Sequence, residues 1–424
     1  MLAYLVLWVA INPHQIGQSD FTSTYVGATL FREGLGASVY DQALQTHGYA
    51  RLIPDPGGFL PFDDAPLAAV VAAPVTLLGL DAAFRVWSLL QFVLIAAAAV
   101  VAIRAAPCEA PLGRDQRVGI GLVALACMGS ASTLFQGQWD GVAALGLAVF
   151  YACLRSRRMS TAGAVLAATS LLAKPQLALG LAAFVLGWRD RRLILGALAG
   201  ALATVALSLL AVGAGGLGGF VSGLSSQVNA GPLGAMVSLM GIAVPMFGRT
   251  PTAHIVAAVG SLATMAVAAF LGSTVRRRPQ RLEAALAGAT VLSLLAAPHA
   301  YGDDLALLVP AAAWSLTALV ARGDGVRSLR NAVIAVWVAI SAAAYLVMIR
   351  ALPELGNLTP WALIAAAGLA IAVCHRPGTA ATVESADPDR GLRAPTPAPM
   401  LGGGPPATSV RNSPIGTPGG ASTA

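Results

Sequence analysis

The residues able to do chemistry are few, and they lie far apart in an otherwise greasy chain. Asp20 stands in QSDFTSTYVG, Gln136 and Gln138 in FQGQWDG, Lys174 in LLAKPQLAL, and His299, Tyr301 and Asp303 in PHAYGDD. A carboxylate or an imidazole can take a proton from a hydroxyl. An ammonium supplies a point charge for an anion, and amide or phenol groups hydrogen-bond to hydroxyls. Each residue also has a structural reading. Asp20 could cap the helix that follows it. Asp41 in VYDQ suits a cap, and Asp63 and Asp64 in FDDAP suit a helix start. Asp304 reads as a first-turn acid. Lys174 could snorkel to an interface, and Trp139, Trp188 and Trp361 read as interfacial belt residues. What favours a site is company. Ionisable groups at the rim of a membrane bundle are costly and mark function by default, and Lys174 is the single lysine of the chain.

The elements that would have to gather these groups are transmembrane helices. The chain has 424 residues, of which 57% are hydrophobic and only 11% charged, with a mean hydropathy of +0.73. A soluble domain carries about 25% charged residues. The fold class expected is an all-α polytopic membrane protein, because backbone groups in hydrocarbon must be satisfied inside each helix. The net charge of +7 does not point to nucleic acid, since the arginines come in short clusters between apolar runs, as the positive-inside bias produces. The four cysteines show no metal or redox spacing.

Apolar runs occupy 2–11, 83–103, 118–135, 140–154, 160–173, 176–188, 193–213, 252–274, 281–297, 304–320, 329–350 and 360–374, which makes about twelve crossings. MLAYLVLWVAI lacks a basic start and a small-residue cleavage site, so it reads as a short first transmembrane helix. Arginine clusters at 104–117, 155–158, 189–192, 276–281 and 322–330 belong inside. Parity then places the 12–82 loop outside, with 65–80 as a re-entrant or surface-lying helix, and 235–247 does not cross. A single helix over 160–188 would put Lys174 mid-membrane; two helices let the arginines at 155–158 and 189–192 share a side. The domain expected is 1–375, followed by a disordered cytoplasmic tail, 376–424, rich in Pro, Gly, Ala, Ser and Thr. Under this topology the polar residues named above collect on the outer face, joined by Gln227 and Asn229.

With these residues in place, the sequence resembles the polyprenol-phosphate-sugar-dependent glycosyltransferases of family 87, which have a GT-C fold. The resemblance rests on SDFTSTYVGATLFREG with VYD, on the Pro-flanked PFDDAPLAAVVAAPVTLLGL, on FQGQWDG, on AGAVLAATSLLAKPQLAL and on PHAYGDDLALL. It departs from the family where an aromatic-Pro-Pro is replaced by PFDDAP and a Tyr-Asp by Gly302-Asp303. It implies a GT-C-like helix bundle whose first outer loop carries surface-lying helices. It also implies transfer of a sugar, mannose most commonly, from a polyprenyl-phosphate donor to a glycolipid or glycan acceptor, outside a cytoplasmic (inner) membrane. Asp20 would be the base, carried over from the family's first-loop aspartate, with His299 the second catalytic candidate. Lys174 would hold the donor phosphate, and Gln136, Gln138, Tyr301 and Asp303 would hold sugar hydroxyls. Membrane lipid is the other expected partner; no metal and no further cofactor are expected. The competing class is a transporter or flippase for a lipid-linked sugar or small solute.

Overall fold

The computed structural model describes residues 2–54, 58–108, 111–227, 232–349 and 357–375. Every regular element among them is helical. The order is α1 (Leu2–Val9), α2 (Pro13–Gly17), α3 (Phe21–Leu30), α4 (Gln42–Leu52), α5 (Pro66–Ala72), α6 (Leu80–Ala105), α7 (Arg114–Leu125), α8 (Met128–Gln136) and α9 (Asp140–Arg155). There follow α10 (Met159–Ala173), α11 (Leu179–Trp188), α12 (Arg191–Gln227), α13 (Met240–Phe247), α14 (Pro251–Arg277), α15 (Leu282–Ala296), α16 (Leu308–Ala321), α17 (Arg327–Met348) and α18 (Thr359–His375).

Each apolar run expected from the sequence is a helix, but not each is a full span. Five described helices are long and apolar enough to cross a membrane: α6, α12, α14, α17, and α16 with its opening turn from Asp303. The run at 118–135 is two helices, α7 and α8, bent by 64°, which would make a sixth if counted as one span. Helix length by itself therefore supports five or six crossings where about twelve were expected. Others, such as α10, α11 and α18, are apolar but shorter. The segment 65–80 is α5 and a 3-10 turn at Ala73–Leu77, since Pro74 cannot continue the α-helical ladder. The segment 235–247 holds only the eight-residue α13 with Pro245 inside it. The chain breaks at Lys174 (φ −146°, ψ 86°), just before Pro175, so 160–188 is two helices. The 376–424 tail and Asn229 lie outside the described residues.

Small residues set how closely the helices approach. In GALAG, a Cβ on Gly196 would stand 2.0 Å from the backbone oxygen of Ser160, and one on Gly200 2.4 Å from that of Ala164. α10 and α12 thus touch backbone to backbone, the contact that small-xxx-small patterns permit in membranes. Near the site, Ser293 of α15 accepts from the backbone N–H of Gly180 and of Leu181 (2.9 and 3.2 Å) and donates to the Leu177 carbonyl (2.5 Å). One hydroxyl thereby fixes the start of α11 on α15.

The bundle has two chemically different ends. α9 starts at Asp140 and finishes at Arg155; α15 starts beside Arg281 and finishes before His299; α16 follows Asp303 and Asp304 and finishes before Arg322. Lys174 meets Asp140, Asp303 and Asp304 at one end. Arg155 meets Glu283 at the other.

Candidate active site

Asp20 sits in the turn between α2 and α3, at the position preceding α3, yet its side chain makes no capping bond. Its Oδ2 instead accepts from Gln138 Nε2 at 2.5 Å, while its backbone N–H donates to Gln136 Oε1 at 3.3 Å. Gly137 lies between the two glutamines in the left-handed region (φ 68°), which lets both side chains turn back onto one residue; a Cβ there would meet Phe21 Cβ at 2.8 Å. Trp87 Nε1 donates to the Gly137 carbonyl at 2.9 Å and pins that turn. The two amides expected on sugar hydroxyls are therefore found holding Asp20.

Lys174 lies in a cage of carboxylates. Its Nζ is 2.6 Å from Asp304 Oδ1, 2.7 Å from Asp303 Oδ2 and 3.1 Å from Asp140 Oδ1, and all four residues are buried. An ammonium has three N–H donors; two are given to Asp303 and Asp304, while Asp140 pairs with it by charge and its Oδ1 accepts no hydrogen bond. Asp304 is further held by the backbone N–H of Tyr301 (2.7 Å) and Asp140 by the Thr133 hydroxyl (3.3 Å). Gly129 makes the geometry possible: a Cβ there would stand 2.2 Å from the Ala306 backbone nitrogen, so only glycine lets α8 lie against the 303–307 turn. The structural alternative, snorkelling to an interface, is not what the fold does with Lys174, and where a phosphate contact was expected two of its three N–H groups already go to Asp303 and Asp304. Asp303, expected on a sugar hydroxyl, faces the amine.

His299 and Tyr301 lie in the loop between α15 and α16, ring centroids 4.8 Å apart and nearly perpendicular. His299 Nδ1 and the Tyr301 hydroxyl are buried without a hydrogen-bond partner among the described residues. Buried polar atoms are nearly always satisfied, so this pair is where a ligand would find hydrogen bonds waiting. Arg249, exposed in the turn before α14, is close enough for its charge to be felt by Tyr301.

Electrostatics tie the three groups together. Burial first, then the Asp303 charge, push the Asp20 carboxyl up to about 6, against the Gln138 hydrogen bond and the Lys174 charge, which lower it. Burial and then the Lys174 ammonium hold His299 below its ordinary value, so the imidazole is neutral at neutral pH. Asp20 and His299 each lie within the fields of Lys174 and Asp303, Tyr301 lies within those of Asp303 and Asp20, and Gln136 and Gln138 contact Asp20 directly.

The first loop closes over this cluster. Thr24 of α3 donates to Asp64 at 3.0 Å, and Trp139 Nε1 donates to Thr24 Oγ1 at 3.2 Å. Asp64 therefore ties the first loop to α3 through Thr24 and does not cap α5, whose N-terminal cap is Ala65. Trp139 is 1% exposed and packs edge-on against Trp87 at 4.6 Å; the interfacial reading of it fails because the loop buries it. Asp41 does cap a helix, accepting from the Leu44 N–H at 2.8 Å. Sequence reasoning missed Asp140 and Asp304 as partners of Lys174, and missed Arg249. The signal for the first two was a solitary lysine among acids expected on the same face.

Such a constellation offers a carboxylate whose pKa suits proton abstraction near neutrality, a fixed internal ion cluster, and a pair of unsatisfied polar atoms within reach of an arginine's charge. The sequence profile of glycosyltransferase family 87 matches residues 65–298, more than half of the chain. The match includes Gln136, Gln138, Asp140 and Lys174 and ends one residue before His299. Comparison with curated proteins and with solved structures gives no match.

Proposed function

Because the chain belongs to glycosyltransferase family 87, we propose that it moves a sugar, mannose by the family resemblance, from a polyprenyl-phosphate donor to a hydroxyl of a glycolipid or glycan acceptor. The arginine-rich end of the bundle faces the cytoplasm by the positive-inside bias, and the site faces outward from the cytoplasmic membrane. One observation supports the reading: a partly buried aspartate is held by two glutamines within electrostatic reach of Tyr301, which packs on His299, and the Tyr301 hydroxyl and His299 Nδ1 lack partners.

Asp20 is the base. Its carboxylate takes the proton of the acceptor hydroxyl as that oxygen bonds to the anomeric carbon. The anomeric carbon–oxygen bond breaks, and its electron pair leaves with the polyprenyl phosphate. A phosphate is a good leaving group, so the departing side needs charge stabilisation more than a strong acid. That stabilisation is assigned to His299, the Tyr301 hydroxyl and Arg249. The Lys174 ammonium is already matched by the aspartates packed around it, which leaves it little charge to offer a phosphate. The phosphate therefore belongs on the histidine side, and Lys174 acts as the counter-ion that holds Asp140, Asp303 and Asp304 in place.

The test is transfer from radiolabelled polyprenyl-phosphate mannose in membranes carrying the protein. An enzyme yields a new glycosidic product that vanishes with Asp20→Asn while expression and insertion stay normal. Full activity in Asp20→Asn would remove it as the base; label that merely relocates without a new product would indicate a carrier.

A further inference from the structure

Between α15, α16, α17 and α18 the bundle leaves a cleft of about 150 Å³ that nothing above uses. Its walls are apolar, and α15 and α16 present alanines to it, among them Ala284, Ala287, Ala311 and Ala312, side chains too short to fill the gap. An apolar cavity of that order stays dry and takes an apolar guest.

Apart from Ser315 midway along α16, the cleft is polar at one end only. Arg281 and Arg322 line its mouth, Arg281 with one N–H given to the Val373 carbonyl at 2.9 Å. Glu283 also lines it, but its carboxylate already accepts from Tyr151 at 3.0 Å and pairs with Arg155 at 3.5 Å. The mouth is therefore basic. Along α15 the lining runs from Arg281 to Val291, about 15 Å at the helical rise, which is about half the hydrocarbon thickness of a bilayer. A charged rim with an apolar slot one leaflet deep has the shape and polarity of a phospholipid.

We propose that this cleft is a binding site for an anionic membrane phospholipid, one acyl chain between α15 and α17 and its phosphate at Arg281 and Arg322. The site is separate from the candidate active site, because α15 carries Arg281 before its first residue and His299 beyond its last. A donor lipid with its phosphate at His299 would enter from the opposite leaflet.

The test uses the full chain in nanodiscs of phosphatidylglycerol or phosphatidylcholine, read by native mass spectrometry and thermal unfolding. The wild type is expected to retain phosphatidylglycerol and to melt at a higher temperature in it than in phosphatidylcholine. The double variant Arg281→Gln with Arg322→Gln should lose retention at least ten-fold and lose the preference between lipids. Ala287→Leu, which fills the slot, should lose retention of either lipid; Ala370→Leu on α18 does the same if the first fails to fold. Equal retention of the two lipids by the wild type, retention unchanged in the variants, or displacement of the bound lipid by polyprenyl phosphate would each overturn the proposal. Loss of sugar transfer in Asp20→Asn bears on none of these readouts.

Discussion

At the scale of single residues, Asp20 and Lys174 make opposite use of burial. Asp20 is pushed up to about 6 by desolvation and the Asp303 charge, so it is protonated and useless as a base in acid. Transfer should rise with pH through about 6 and level off above it, checked by the pH profile of kcat/KM; a profile flat from pH 5 to 8 would count against Asp20. Lys174 spends its charge on three carboxylates. Lys174→Met keeps the length and removes the charge, leaving Asp140, Asp303 and Asp304 buried against one another. Breaking a buried ion pair from one side costs about 3–5 kcal/mol, so the variant should melt markedly earlier, and adding Asp304→Asn should recover part of the loss. A raised donor KM with unchanged melting would instead return Lys174 to the phosphate. An amine already occupies the place where those three carboxylates could hold a cation, so transfer should survive EDTA, measured as an unchanged initial rate.

At the scale of elements, the site depends on three junctions that hold side chains from distant segments. Gly137 turns both amides onto Asp20, Ser293 fixes α11 on α15, and Gly129 lets α8 lie on the turn that bears Asp303 and Asp304. The Gly129 contact is backbone to backbone, so no side-chain adjustment can relieve a larger residue. Overpacking costs typically about 1–3 kcal/mol; Gly129→Val should therefore lower the melting temperature and also reduce kcat, by moving the carboxylate cage away from Asp20. Normal kcat in a destabilised Gly129→Val would show that the cage and the base work independently.

At the scale of the molecule, the bundle separates an acidic, histidine-bearing end from an arginine-rich one, and the proposed orientation follows from that polarity. In a background with Cys108→Ser, a cysteine at Gly58 should react with an impermeant thiol reagent applied to whole cells. One at Asp324 should react only after the membrane is opened; the reverse pattern would invert the protein. The apolar runs by themselves determined where helices form, because backbone bonding in hydrocarbon leaves the chain no other choice. The break expected between the helices at 160–173 and 176–188 falls at Lys174 and Pro175, whereas 65–80, expected as one helix, tightens into a 3-10 turn at Pro74. The sequence also singled out Asp20, Lys174 and His299, since ionisable groups are rare enough in such a chain to stand out. Local pattern is blind to contacts across a hundred residues, so only the tertiary structure decided that Lys174 faces aspartates, that the glutamines serve Asp20, and that Trp139 is buried. A charge buried in a bundle takes whichever opposite charge the packing brings near, and that choice is made by helices meeting, not by neighbours in the chain.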